Sequence, residues 1–167
     1  MSNEETSEQR LTALGIALPG LLPPGGNYVP VRRDGDTLYI AGQGPRRPDG
    51  SRFTGRVGED ISKEDAYDHA RLAGLAILAL ARAEAGSLDN LRALKVFGMV
   101  NAVPGFGDHA KVINGCSDFL VEALGDKGRH ARSAVGMAAL PMGFAVEIED
   151  AGFRNVSYRV LSGGIAA

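Results

Sequence analysis

Two segments of this chain carry apolar residues at helical spacing: Ala66, Ala70, Ala73, Ile77 and Leu80 in one, and Val112, Ile113, Cys116, Phe119, Leu120 and Ala123 in the other. Each helix so predicted has one apolar side and must lay it on something else that is apolar. The runs around them supply that surface, because they read as strands. YVPVRRDGDTLYIAGQG turns back on itself at Asp34-Gly35-Asp36, a hairpin signal. LRALKVFGMVNAV gives another strand, and two more are expected over 133–138 and 144–150, separated by LPMG. A short further strand is expected over 52–57, inside the Gly- and Arg-rich loop RRPDGSRFTGRVGED. The order is ββ(β)αβαββ, which predicts an α+β fold: a mixed β-sheet with both helices packed on one face.

The helix ends are marked. Ser62 with Asp65 resembles a capping box, and Gly86 follows the first stripe. Asp108 stands where it would cap the second helix, and Gly125 follows its end. Residues 1–26 stand apart as an N-terminal extension. Within it EETSEQRLTALG predicts a short helix with Thr6 or Ser7 as N-cap and Leu11 and Leu14 on one face, and LPGLLPPGGN then breaks any helix. In a chain of 167 residues nothing is left to cover the second face of the sheet, so a symmetric oligomer is expected.

Composition narrows the function classes. Apolar residues make up 44% and no run approaches the roughly 20 needed to span a bilayer, so no membrane partner is expected. A net charge of −2 and a pI near 5.9 offer phosphates no basic field, so nucleic acid is not an expected partner. The N-terminus MSNEETSEQR is acidic and polar where a secretory signal would be basic and then apolar, which predicts a cytoplasmic protein. One cysteine and three scattered histidines form no zinc spacing, and no metal or other cofactor is expected.

Charge placement in HARSAVGMAALPMGFAVEIED is the strongest functional signal. With a two-residue period, Phe144, Val146 and Ile148 share one face and Glu147 the other. Val135 and Met137 point one way, and Arg132 the other with Ala134, Gly136 and Ala138. A guanidinium and a carboxylate over a floor of small residues describe a polar cavity at a sheet surface, with a structural ion pair or a solvated rim as the plainer alternative. His130 reads as a solvated loop residue with proton carriage as its alternative, whereas His69 and His109 read as surface residues and Cys116 as core. Arg32, Arg33, Arg46, Arg47, Arg52 and Arg56 make a loose basic cluster, read as a solvated face or subunit contact rather than a phosphate track.

The ordered set GNYVP, LYIAGQGP, VINGCSDF, HARSAVG, LP and AVEIE resembles the reactive-intermediate deaminase (Rid) family, also called the YjgF-like or L-PSP endoribonuclease family, over residues 27–151. The variants NGCSD and HARSAVG are most similar to a divergent bacterial subgroup with an N-terminal extension; residues 152–167 then form a C-terminal tail. The resemblance implies a chorismate-mutase-like fold and a homotrimer with three ligand clefts between subunits. It implies a small carboxylate metabolite, a 2-imino or 2-keto acid, as partner, and hydrolysis of reactive imines to keto acid and ammonia as the activity. A non-catalytic metabolite-binding trimer and an endoribonuclease remain as alternatives. Carried over residue by residue, the substrate-carboxylate arginine falls on Arg132 and the late-strand acid on Glu147. Tyr28, Asn114, Gly42 and the backbone at Ala134 complete the expected binding set, Tyr28 having interface packing as its alternative and Asn114 pairing with nearby backbone. The family pattern is departed from at Ala41, where a hydroxyl residue is usual, at His130-Ala131-Arg132, where Pro-X-Arg is usual, and at Ala134, often cysteine.

Overall fold

A computed structural model describes residues 5–155. Its elements are α1 (Ser7–Ala13), β1 (Val31–Asp34), β2 (Thr37–Gln43), α2 (Lys63–Ala85), β3 (Leu91–Asn101), α3 (His109–Leu124), β4 (Ala131–Met137) and β5 (Val146–Asn155). They form one five-stranded sheet in the order β1-β2-β5-β3-β4. β3 runs parallel to β4 and antiparallel to β5, so the sheet is mixed, with β4 at one edge. The β1–β2 hairpin turns through Gly35 and Asp36, with Gly35 at φ +55°, a left-handed value that glycine adopts without strain.

Both long helices lie on one face. Their apolar stripes, with Ile77, Ile113 and Phe119 at the centre, bury Leu38, Ile40, Val96, Val100, Ile148 and Phe153 of the sheet. The helices also meet each other closely. A Cβ at Gly115 of α3 would strike the Tyr67 carbonyl of α2, so the Asn-Gly-Cys sequence is what permits the crossing. Tyr67 Oη donates to Asp118 at 2.9 Å and Arg71 pairs with Glu122 at 2.7 Å on the outer side of the same seam. The opposite face of the sheet presents Tyr39, Phe97, Met99, Val135 and Met137, of which Tyr39 and Met137 are exposed. No helix among the described residues is long and apolar enough to cross a membrane.

Several local expectations change. Residues 52–57 form no strand; they make isolated bridges, Thr54 with Phe144 and Val57 with Ile61 and Ala102. Gly55, at φ +141°, breaks the extended run, and Phe53 turns onto His69 of α2. His69 is therefore buried rather than on the surface. Asp108 occupies the N-cap position of α3 but makes no capping bond, because its carboxylate pairs with Lys63 at 3.3 Å and Lys111 at 3.0 Å. The short helix α1 is capped by a full Thr6–Gln9 box as its sequence suggests. It does not stand apart: Leu11 is buried in the core, and the Ser7 amide donates to Asp89 at 2.7 Å. β5 continues to Asn155, so Phe153, expected in the tail, is a core residue paired with Leu38 and Ala93. The rest of the expected tail lies outside the described residues.

Candidate functional site

Arg132 sits on the edge strand β4, facing the helices. Register makes this explicit: Arg132 pairs with Val96, and Val96 points into the core under α3. The guanidinium is held by one stripe of α3. Nη1 donates to Asn114 Oδ1 at 2.8 Å and to Ser117 Oγ at 3.0 Å, and Nη2 donates to the Ala110 carbonyl at 3.2 Å. Residues 110, 114 and 117 recur at helical spacing on one side of α3, which is why all three reach the same group. An arginine has five N–H donors. Three are engaged here, which leaves one on Nη2 and the one on Nε. A planar cation with two N–H groups to spare can offer both to the oxygens of a carboxylate.

Ser117 extends the cluster to His130, whose Nε2 lies 3.0 Å from Ser117 Oγ and whose Nδ1 lies 2.6 Å from the Gly128 carbonyl. Burial, and to a lesser degree the Arg132 charge, lowers the His130 pKa below its ordinary value, against the opposing pull of the Gly128 carbonyl. Burial thus favours the neutral imidazole. Ala134, two residues along β4, pairs with Gly98 and packs against the core.

Glu147 sits on β5 and pairs with Met99, on the open face. Its neighbour across the sheet is Gly42, in the stretch of β2 where pairing with β5 slips between Ile40 and Gln43. This bulge and the missing side chain let the carboxylate lie against the β2 backbone; a Cβ at residue 42 would strike it. Gln43 steadies the bulge by donating from Nε2 to the Ala41 and Gly42 carbonyls, each at 3.0 Å. Burial, with a smaller contribution from the Glu149 charge, raises the Glu147 pKa. A desolvated carboxylate with no cation beside it is a stronger base than a free one.

The sheet thus separates what the strand period alone puts together. Arg132, Ala134 and Asn114 gather on the helix side at the β4 edge, and Glu147 and Gly42 gather on the open side over β5 and β2. Tyr28 joins neither group: it is exposed at the entry to β1, and its hydroxyl accepts from the Gly25 amide at 3.2 Å. Ser117 and the Ala110 carbonyl are the site groups that sequence reasoning missed, although Ser117 lies three residues after Asn114 on the same helical side. Among the described residues no three His, Cys, Asp or Glu side chains gather as a metal site. An open groove lined by Leu18, Leu21, Ala79 and Ala83 lies at the far end of α2 and includes none of these groups.

The chain and its fold have counterparts. Protein TCP17 of Trypanosoma cruzi is 38% identical over 141 residues, covering 83% of this chain and 88% of its own. The structure of Atu1372 from Agrobacterium tumefaciens, described as of unknown function, is 40% identical and superposes with a TM-score of 0.79 over 90% of this chain and 91% of its own. A Shewanella oneidensis protein described as a putative endoribonuclease is 30% identical, with a TM-score of 0.84 over 90% of this chain and 99% of its own. The family model described as "YjgF/chorismate mutase-like, putative endoribonuclease" matches residues 8–146, with the two long helices, β1 to β4 and the Arg132 cluster inside it, and the chain belongs to that family.

Proposed function

We propose that the protein works as a symmetric homotrimer that binds small 2-imino or 2-keto carboxylates in clefts between subunits and hydrolyses the imines to keto acid and ammonia. The observation that carries this reading is the division of the charged groups between opposite faces of one sheet. Within one chain Arg132 and Glu147 cannot hold the same small molecule. An edge strand carrying Arg132 beside the open face of a second copy carrying Glu147 and Gly42 can, and the apolar residues of that face need a cover.

The chemistry follows from the groups. The two unengaged donors of Arg132 hold the substrate carboxylate. Glu147, its basicity raised by burial, takes a proton from water as the oxygen bonds to the iminium carbon and the C=N electron pair moves to nitrogen. Glu147 then returns that proton to the amine; as the C–N bond breaks, the carboxylate takes the hydroxyl proton, the carbonyl forms, and the departing ammonia carries that proton away as ammonium. Holding water and iminium in line supplies much of the gain over spontaneous hydrolysis. Tyr28 closes the cleft.

A coupled assay tests the reading. With a pyridoxal-phosphate dehydratase and serine or threonine, keto acid should be released faster than the dehydratase alone allows. Binding of pyruvate without acceleration would instead establish a sensor, the reading that Ala41 and Ala134 favour by leaving no hydroxyl or thiol at those positions. Light scattering should give a trimer at micromolar concentration, and a stable monomer would overturn the cleft. Ribonuclease activity has less support, since two arginines of the 46–56 loop are engaged by neighbouring groups of the chain. Arg47 stacks 3.9 Å over Phe53 and donates to the Arg52 carbonyl at 2.8 Å, and Arg56 donates to the Ala102 carbonyl at 3.3 Å.

A further inference from the structure

Resting on the carboxylate-clamp reading of Arg132, we propose that Ser117 and His130 form a positioning relay that holds the guanidinium in its clamping pose only while the imidazole is neutral. The proton arrangement is dictated link by link. A carbonyl can only accept, so Nδ1 of His130 carries the hydrogen that bonds the Gly128 carbonyl at 2.6 Å. A neutral imidazole protonated at Nδ1 has a lone pair on Nε2, which accepts the Ser117 hydroxyl hydrogen at 3.0 Å. With its hydrogen committed there, Ser117 Oγ presents a lone pair to Arg132 Nη1, also at 3.0 Å.

The far end of the relay is rigid. Gly128 closes the turn after α3 so tightly that a Cβ there would strike the Leu120 carbonyl, which fixes the acceptor that selects the tautomer. Protonation of His130 reverses the middle link. Nε2 becomes a donor, Ser117 must then accept from two cations, and a second positive charge arrives one hydroxyl away from the guanidinium. Of the charged groups on the elements around the ring, Asp118 of α3, Asp126, Lys127 and Arg129 of the turn, and Arg132 of β4, only Arg132 bears on its titration. Among the described residues no carboxylate offsets the added charge. Affinity for a carboxylate ligand therefore falls on the acid side of the ordinary imidazole range, although the ligand itself stays ionised there.

Calorimetric titration of the full chain with pyruvate from pH 7.5 down to 5.5 tests this, beside Ser117→Ala, His130→Leu and His130→Gln. Ser117→Ala and His130→Leu should weaken pyruvate roughly three- to tenfold at pH 7.5, the span of one indirect hydrogen bond, and lose the further acid-side fall. His130→Gln offers an acceptor near the Nε2 position and never charges; it should recover most of the affinity lost in His130→Leu and show no acid-side fall. Folded Ser117→Ala and His130→Leu proteins with the parent affinity and pH profile would overturn the relay. Nitrogen-15 spectra of the three histidines, assigned through His130→Gln, read the relay without ligand. They should show His130 neutral with the hydrogen on Nδ1 and its Nε2 resonance shifted in Ser117→Ala, and the opposite tautomer would overturn the proposal. If the parent protein binds no 2-keto acid at all, the clamp reading falls while these spectra still decide the relay.

Discussion

Arg132 and Glu147 carry opposite charges at comparable partial burial, yet their surroundings differ in kind. The guanidinium gives three donors to Asn114, Ser117 and the Ala110 carbonyl, so it is held in place before any ligand arrives. The Glu147 carboxylate is pushed into a glycine-floored bulge where only burial and a like charge act on it. One group is prepared by satisfaction and the other by desolvation. The proposed function needs both, one group to grip an anion and the other to move a proton. A structural ion pair needs neither, because its members would satisfy each other.

Glu147→Gln gives the largest expected effect. It keeps size and hydrogen bonding but removes the base, so turnover in the coupled assay should fall roughly 10²- to 10⁴-fold with pyruvate affinity changed far less. Stability should move the other way. A carboxylate whose folded pKa is raised contributes stability below its unfolded value and loses it as pH rises through the folded value. At neutral pH the charged form is therefore a cost that Gln removes, and the variant should melt no lower than the parent. A clearly lower melting temperature would mean that Glu147 pairs with a cation in the empty cleft, and the contrast with Arg132 would collapse.

Arg132→Ala comes next. Loss of a charge-assisted bond should weaken pyruvate roughly 10- to 100-fold, and it also strips partners from Asn114 and Ser117, so melting temperature should fall as well. Arg132→Lys should be nearly as damaging to binding, since an ammonium, with three donors, cannot meet two carboxylate oxygens and three α3 acceptors. Unchanged pyruvate binding by a folded Arg132→Ala protein would rule out the clamp.

Gly42→Ala probes the Glu147 side without touching a charge. The added methyl occupies the space of the carboxylate, which must swing away from the bulge. Turnover should fall several-fold while affinity for pyruvate and the Arg132 cluster stay intact, and kcat and KM measured together would show it. Equal losses in both would instead mark a general disturbance of β2.

Period and spacing carried most of the architecture. The stripes at Ala66–Leu80 and Val112–Ala123, the Asp-Gly turn and the Ser62 cap all stand as they read, because each is a local signal whose partner is close in sequence. What was illegible depended on faces and neighbours. The alternation in HARSAVG says that Arg132 and Val135 point apart, but only the pairing of β4 with β3 says which side carries the helices. That assignment moved Arg132 to the face opposite Glu147. Likewise His69 reads as a surface position on its helix until Phe53, sixteen residues earlier, folds over it.

Two histidines repeat the contrast on a smaller scale and give the smallest expected effect. Both ring nitrogens of His130 have partners, whereas His69 is 6% exposed, stacks 4.6 Å from Phe53 and leaves Nδ1 without a hydrogen bond among the described residues. Burial lowers the His69 pKa, against the weaker opposing pull of Asp65 and Asp68. A base with a depressed folded pKa binds fewer protons than in the unfolded chain once pH falls below the unfolded value. Stability therefore declines from the ordinary imidazole value down to the folded one, at no more than about 1.4 kcal/mol per pH unit, and levels off below it. His69→Leu keeps the apolar contact with Phe53 and removes the titration. Chemical denaturation from pH 7.5 to 5 should show the parent losing stability where His69→Leu loses less, with pyruvate affinity the same in both. If the two curves run parallel, Nδ1 has an acceptor or a water that answers for it, and the contrast between the two rings ends at the site.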